Sequence, residues 1–151
     1  MIIRKGVKED LDAVLDLVRE LAEYVNASDQ VETTEEDMLK DGFGDEPVFH
    51  FYVAEVADKI VGLALYYYGY STWKGKFLYL EDLVVRETFR GQGIGKALFN
   101  RVVSQAQEDG LKLVGWQVLA SNENAIAFYK KAGAVFQEDW INCRLYKEQL
   151  D

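Results

Sequence analysis

Three long runs rich in aromatic and β-branched residues, 49–56, 60–70 and 77–85, stand almost end to end in the middle of this chain. Only the three residues Ala57-Asp58-Lys59 and the short stretch 71–76, with its turn at Ser71 to Gly75, separate them. Connections this short can join antiparallel neighbours alone, because a parallel pair needs a crossover of a dozen residues or more. The runs therefore predict an antiparallel meander, and everything else in the chain has to be arranged around it.

Before the meander, Met1 to Arg4 reads as a short strand. From Asp10 the apolar residues Leu11, Val14, Leu15, Val18, Leu21, Ala22 and Val25 follow the i, i+3, i+4 rhythm of a helix with one buried stripe. Thr33 and Glu36 have capping-box spacing and predict a second helix that ends near Gly42, whose missing Cβ permits a left-handed exit. After the meander the period changes. Ile94, Leu98, Val102 and Ala106 fall on one face of a helix that Gly110 ends. Residues 113–119 predict a strand, 124–132 a short helix stopped by Gly133, and 134–136 and 142–147 two closing strands. A meander followed by βα units implies an α/β fold with a mixed, mostly antiparallel sheet and helices on its faces. With 151 residues and a single proline, no linker or repeat is visible, and one domain over 1–151 is expected.

Charge narrows the partners. The chain carries 17 Lys and Arg against 26 Asp and Glu, a net charge of −9. Residues 1–50 hold 14 of the acids and 5 of the bases, and residues 51–151 hold 12 of each. The whole surplus thus lies in the first third. Nucleic acid is not an expected partner, since phosphate binding needs a basic face. The acidic third is either a solvated face or a field that attracts a cationic substrate. The longest apolar stretch, 60–68, falls well short of the roughly 20 residues of a membrane span. Met1-Ile2-Ile3-Arg4 offers no secretory signal. A lone cysteine, Cys143, excludes an internal disulfide, and a cytoplasmic setting is expected. The carboxylates follow no metal-ligand spacing, so no metal is expected.

The residues Arg90-Gly91-Gln92-Gly93-Ile94-Gly95-Lys96 lie between a strand and a helix. Glycines there let backbone N–H groups converge on an anion at a helix N-terminus, and a pyrophosphate suits such a cradle. The alternative is a tight turn that binds nothing. Neither the dinucleotide fingerprint nor the ATP/GTP loop fits the spacing.

Arg90, Gly93 and Gly95 meet the Arg/Gln-x-x-Gly-x-Gly/Ala signature of the GCN5-related N-acetyltransferase (GNAT) superfamily, which the chain resembles. A second landmark of that superfamily is matched by the stretch from Asn122 through Asn124 and Phe128-Tyr129 to Gly133-Ala134. The resemblance implies the acyl-CoA N-acyltransferase fold and acetyl-CoA as co-substrate. Leu83, Val84 and Val85 would present backbone groups to its pantetheine arm, Arg90, Gly91, Gln92, Gly93, Ile94, Gly95 and Lys96 would hold its pyrophosphate, and Asn122 and Asn124 would make further contacts. Three stretches, Asp41-Gly42-Phe43-Gly44, Ser71-Thr72-Trp73-Lys74-Gly75 and Leu78-Tyr79-Leu80-Glu81-Asp82-Leu83, look like the spermidine/spermine group, most of all its thialysine-acetylating branch. Two positions depart from the polyamine pattern. Val25 follows Tyr24 where those enzymes have an acid, and Ser71 replaces an Asp. Both changes remove carboxylates that would pair with distant amines, which favours a shorter, lysine-like amine.

The implied chemistry is direct acetyl transfer in a ternary complex. An amine arrives as an ammonium with a pKa near ~10, so a base must take its proton. The resemblance points to Glu81 as that base, acting through a water, with Asp82 structural unless a bulge re-aims the pair. The Leu83 N–H would stabilise the developing oxyanion. Tyr129 is either a core aromatic or, as the resemblance implies, the acid that protonates the departing thiolate. Tyr24 and Trp73 are candidates for the amine pocket, because an aromatic face attracts a cation. Relatives of this group are homodimers, which implies the same here. Two other readings remain open from sequence. One is an acetyltransferase for Lys or N-terminal amines of proteins, and the other is a module that binds acyl-CoA without turnover. His50 and Cys143 show no pairing that would support a covalent route.

Overall fold

Two short turns, of two and three residues, dictate how the meander closes. In a computed structural model describing residues 1–151, β2 (His50–Val56) and β3 (Lys59–Ser71) pair antiparallel with Val56 opposite Lys59. The turn is therefore Ala57-Asp58 alone, and Lys59 belongs to the strand. Both turn residues take positive φ, 50° and 63°, the backbone that matches the twist of the flanking strands. β4 (Gly75–Val85) continues the meander, and the Ser71 hydroxyl accepts the N–H groups of Trp73 and Lys74 in the second turn. β1 (Ile2–Lys5) lies antiparallel to β2, and β5 (Val114–Trp116) lies parallel to β4, which gives the order β1-β2-β3-β4-β5.

Alternation along the strands sends side chains to two faces, and each face meets a helix whose apolar stripe the sequence marks. α1 (Leu11–Tyr24) and α2 (Glu35–Phe43) cover one face. There Leu11, Val14, Leu15, Leu17 and Met38 pack with Phe51, Val53, Leu63, Leu65 and Val84. α3 (Ile94–Glu108) covers the other, where Ile94, Leu98, Val102 and Ala106 meet Tyr52, Ala54, Ala64, Tyr66, Leu78 and Leu80. Arg4 of β1 donates to both Asp10 oxygens, each at 2.8 Å, and to Glu55 at 3.3 Å, which clips the edge strand to the start of α1 and to β2.

The chain divides into two compact units, Met1–Gln117 and Val118–Asp151. The second contains α4 (Glu123–Lys131) and a single turn, α5 (Lys147–Leu150). Gly133, at φ 88°, ends the α4 segment.

Four expectations need correction. The cap of α2 is Thr34 with Asp37, one residue beyond Thr33 and Glu36, since the reciprocal bonds form between that pair. Gly42 does not supply a left-handed exit, because it lies inside α2. A Cβ there would stand 2.4 Å from the Phe49 ring, so close packing demands the glycine. β5 is shorter than residues 113–119, its pairing with β4 ending at Leu80. The closing strands over 134–136 and 142–147 do not form. Their apolar residues Val135, Ile141 and Leu145 are 87%, 86% and 68% exposed, so no covered face rewards a ladder.

Candidate active site

β4 holds the residues on which the expected chemistry depends, and its register explains their placement. Leu65 pairs with Asp82 and the next residue, Tyr66, pairs with Leu80, so Glu81 is an extra residue in the strand. It forms a β-bulge, which bends a strand and re-aims its side chains. The faces confirm the effect. Leu80 and Leu83 pack on the α3 side, while Val84, and Leu65 opposite Asp82, pack on the α1 side. Two residues between Leu80 and Leu83 therefore share the α1 face, so Glu81 and Asp82 lie on the same side of the sheet. Asp82 is thus not the strictly alternating partner that a regular strand would give. Glu81 is exposed and Asp82 half-buried. Burial, followed by the charge of Glu81, raises the Asp82 pKa to about 6. The Tyr67 phenol is pushed up by burial and then by the same Glu81 charge.

The same strand leaves the sheet half-open. β5 bonds only to residues 78–80 of β4, so no strand lies beside Glu81 to Val85 on that edge. Leu83, Val84 and Val85 form the rim of the opening, and Val84 also anchors the core beneath it. An unpaired strand edge can take up an extended ligand by backbone hydrogen bonds.

The opening leads into the glycine loop. Gly91 and Gly93 take φ of 79° and 81°, which a side chain would strain, and Gly93 stands at the head of α3. Arg90 N–H bonds to Glu87 O and Ala97 N–H bonds to Gly93 O. The N–H groups from Gly91 to Lys96 have no protein acceptor, and no side chain caps the helix. Unsatisfied donors at a helix start form a ready anion cradle.

The Arg90 side chain turns back towards the protein. Its Nε donates to Val85 O at 2.9 Å, and its guanidinium lies 4.9 Å from the centre of the Tyr24 ring. Glu20 of α1, which the sequence reading missed, ties this region together. It accepts from Glu87 N–H at 2.8 Å and approaches Arg86 and Arg90 at 3.5 and 3.9 Å. Tyr24 thus already has a cation on its ring. Trp73 is 83% exposed in the β3–β4 turn, while Tyr24 sits by the opposite end of β4. At about 3.3 Å per residue, the length of β4 keeps the two aromatics some ~30 Å apart, so one chain cannot bring them into a single pocket.

In the second unit, the Asn122 Oδ1 accepts from Ala125 N–H at 3.2 Å and caps α4, whereas Asn124 lies exposed in the first turn. Tyr129 is buried, its ring meets Phe128 edge-on at 5.3 Å, and burial raises its pKa. A phenol so placed stays protonated through the neutral range, as a proton donor must. Cys143 is exposed and His50 packs against Tyr66 and Tyr68 in the first unit.

The class that this geometry defines is the acyltransferase. The family described as "Acetyltransferase (GNAT) family" matches residues 11–134. The chain belongs to that family and is an N-acetyltransferase. It is 42% identical over 142 residues to a thialysine N-epsilon-acetyltransferase of Bos taurus, covering 89% of this chain and 84% of that one. It is 36% identical over 158 residues to spermidine/spermine N(1)-acetyltransferase-like protein 1 of Homo sapiens, covering 98% of this chain and 23% of that one. Among solved structures, an aminoglycoside acetyltransferase from an uncultured soil metagenomic sample superposes with a TM-score of 0.78 at 22% identity, over 96% of this chain and 95% of that one, a likeness of fold.

Proposed function

We propose that the protein transfers the acetyl group of acetyl-CoA to the primary amine of a small cationic substrate, of the diamine, thialysine or lysine-like kind, by direct attack in a ternary complex. The observation that carries this reading is the open edge of β4 running straight into a loop of unsatisfied N–H groups. The residues present fit the carrier: the edge suits an extended amide-bearing arm, and the donors from Gly91 to Lys96 suit a pyrophosphate. When bound, acetyl-CoA supplies an activated acetyl thioester.

The residues of the chain do the rest. Glu81, exposed on the bulge, takes the proton of the ammonium through a water. The Leu83 N–H donates to the carbonyl oxygen as negative charge develops there. Tyr129 gives its proton to the departing sulfur, and Asn122 fixes the start of the helix that carries it. Arg90, held by Val85 O, Glu20 and Tyr24, sets the position of the glycine loop. Val25 and Ser71 leave few carboxylates for a distant second amine, which supports a short substrate. The relatives named for thialysine at 37–42% identity point the same way.

The two units together make one acetyltransferase domain, in keeping with a family match that spans both. The chain acts as a homodimer. Trp73, exposed and remote from Tyr24, enters an amine pocket only if a second copy receives it. The exposed, unpaired Cys143 suits the cytoplasm. The test is thiol release from acetyl-CoA across diamines, polyamines, lysine, thialysine and a lysine peptide. Turnover of the short amines is expected. Turnover of the peptide alone would move the substrate to proteins, and calorimetry showing no heat with acetyl-CoA would remove the reading altogether.

A further inference from the structure

We infer that Asp82 is a positioning residue for the transferred proton: Glu81 takes it from the substrate and passes it to Asp82, which lies beside it on the same face of the sheet. The inference rests on the acetyltransferase reading above and deepens it.

The bulge is the reason that the pair exists. In a regular strand Glu81 and Asp82 would point to opposite faces and exchange nothing. The extra residue puts both carboxylates on the α1 side, one exposed and one half-buried. The neighbours of Asp82 that the register and the adjoining cluster identify are apolar or already engaged. Leu65 stands opposite it on β3, with Tyr67 two residues on and neutral. α1 and α2 contribute Leu17, Leu21 and Met38 to the adjoining cluster. Glu20 of α1 is committed to Arg86 and Arg90. The one charge acting on Asp82 is that of Glu81.

Two neighbouring carboxylates with unlike surroundings divide a proton unequally. The half-buried member has lost hydration, so its ionised form is less stable and it accepts a proton more readily than an ordinary carboxylate. The proton balance is complete. The ammonium loses one proton to Glu81, Glu81 passes it to Asp82, and Asp82 releases it to solvent before the next cycle. Attack leaves the nitrogen cationic, and the second proton it sheds as the amide forms restores, by way of solvent, the one that Tyr129 gives to the thiolate, so one proton is released per turnover.

Three measurements test this on the full chain. In the wild type, the acid limb of kcat/KM should have its midpoint near pH 6, the value about which Asp82 titrates. Asp82→Asn, nearly isosteric, should move that limb to lower pH and lower kcat about tenfold, within the span of a general base contribution. Its affinity for acetyl-CoA by calorimetry should stay within a factor of two. A drop in kcat with the limb unmoved would show a merely structural Asp82 and overturn the inference. Carbon-13 NMR of the aspartate carboxyls gives a readout that needs neither turnover nor the variant at position 82. A carboxyl titrating near pH 6 in the wild type, and lower in Glu81→Gln, supports the coupled pair, and its absence overturns it. A wild type inactive on every amine would sink the functional reading and this role with it. An active enzyme with an ordinary Asp82 would sink this role alone.

Discussion

Glu20 joins three groups at the base of the glycine loop, yet nothing in its sequence context marks it. It is one acid among the 14 of the first fifty residues, on the polar face of a helix. Only the fold brings α1 against the end of β4. We expect Glu20→Ala to raise the KM for acetyl-CoA several-fold while kcat at saturation stays within a factor of two, because it frees Arg86 and Arg90 without touching the reacting groups. Stability should fall by no more than about 1 kcal/mol, as these pairs are partly exposed. Tyr129→Phe should do the reverse, lowering kcat about a hundredfold while affinity for acetyl-CoA stays unchanged. An unaltered rate of chemistry in single-turnover experiments would remove the phenol from the mechanism. Tyr129 stands out in the sequence because a motif surrounds it, and the structure buries it beside Phe128; Tyr24 stands out only as a bare aromatic face, and the arginine on that face could not be foreseen.

At the level of elements, periodicity was enough to find the three long strands and the stripes of α1 and α3, because each is a long run with one dominant period. It did not reveal the bulge, which depends on how β3 and β4 align and leaves no mark in β4 itself. It over-read the segment after α4, where apolar residues occur without a covered face. The β2–β3 turn offers a test of local strain. Ala57 holds φ 50°, which costs an alanine about 1 kcal/mol or more. Ala57→Gly should therefore raise the melting temperature by about 2–4 °C without changing turnover. The edge clip offers a second. Asp10, bonded by Arg4 and the Val7 N–H, has its pKa lowered, chiefly by the Arg4 hydrogen bond. A lowered value means that the clip stabilises the fold above the usual aspartate pKa and is lost as pH falls through the folded one. Asp10→Asn should cost about 1–3 kcal/mol at pH 7. The difference from wild type in urea unfolding should shrink steadily below about pH 4.

At the scale of the whole molecule the surplus of charge, −9, belongs to the first fifty residues, with a balance of zero beyond. α2 carries Glu35, Glu36 and Asp37 in its first turn and Lys40 as its only base. A field of this kind draws cations in, and salt screens it. The KM for a doubly charged amine should therefore rise with ionic strength, while the KM of a neutral aromatic amine, if turned over, should not. Sedimentation should show a dimer, and Trp73→Ala should weaken amine use more than thioester use. The irregularity of β4 has a consequence for anyone redesigning the scaffold. Excising residue 81 would leave Leu80, Leu83, Val84 and Val85 each on its present face and give the sheet an unbroken weave. The product should be at least as robust to heat and chemically inert, a better fabric made by cutting out a working thread.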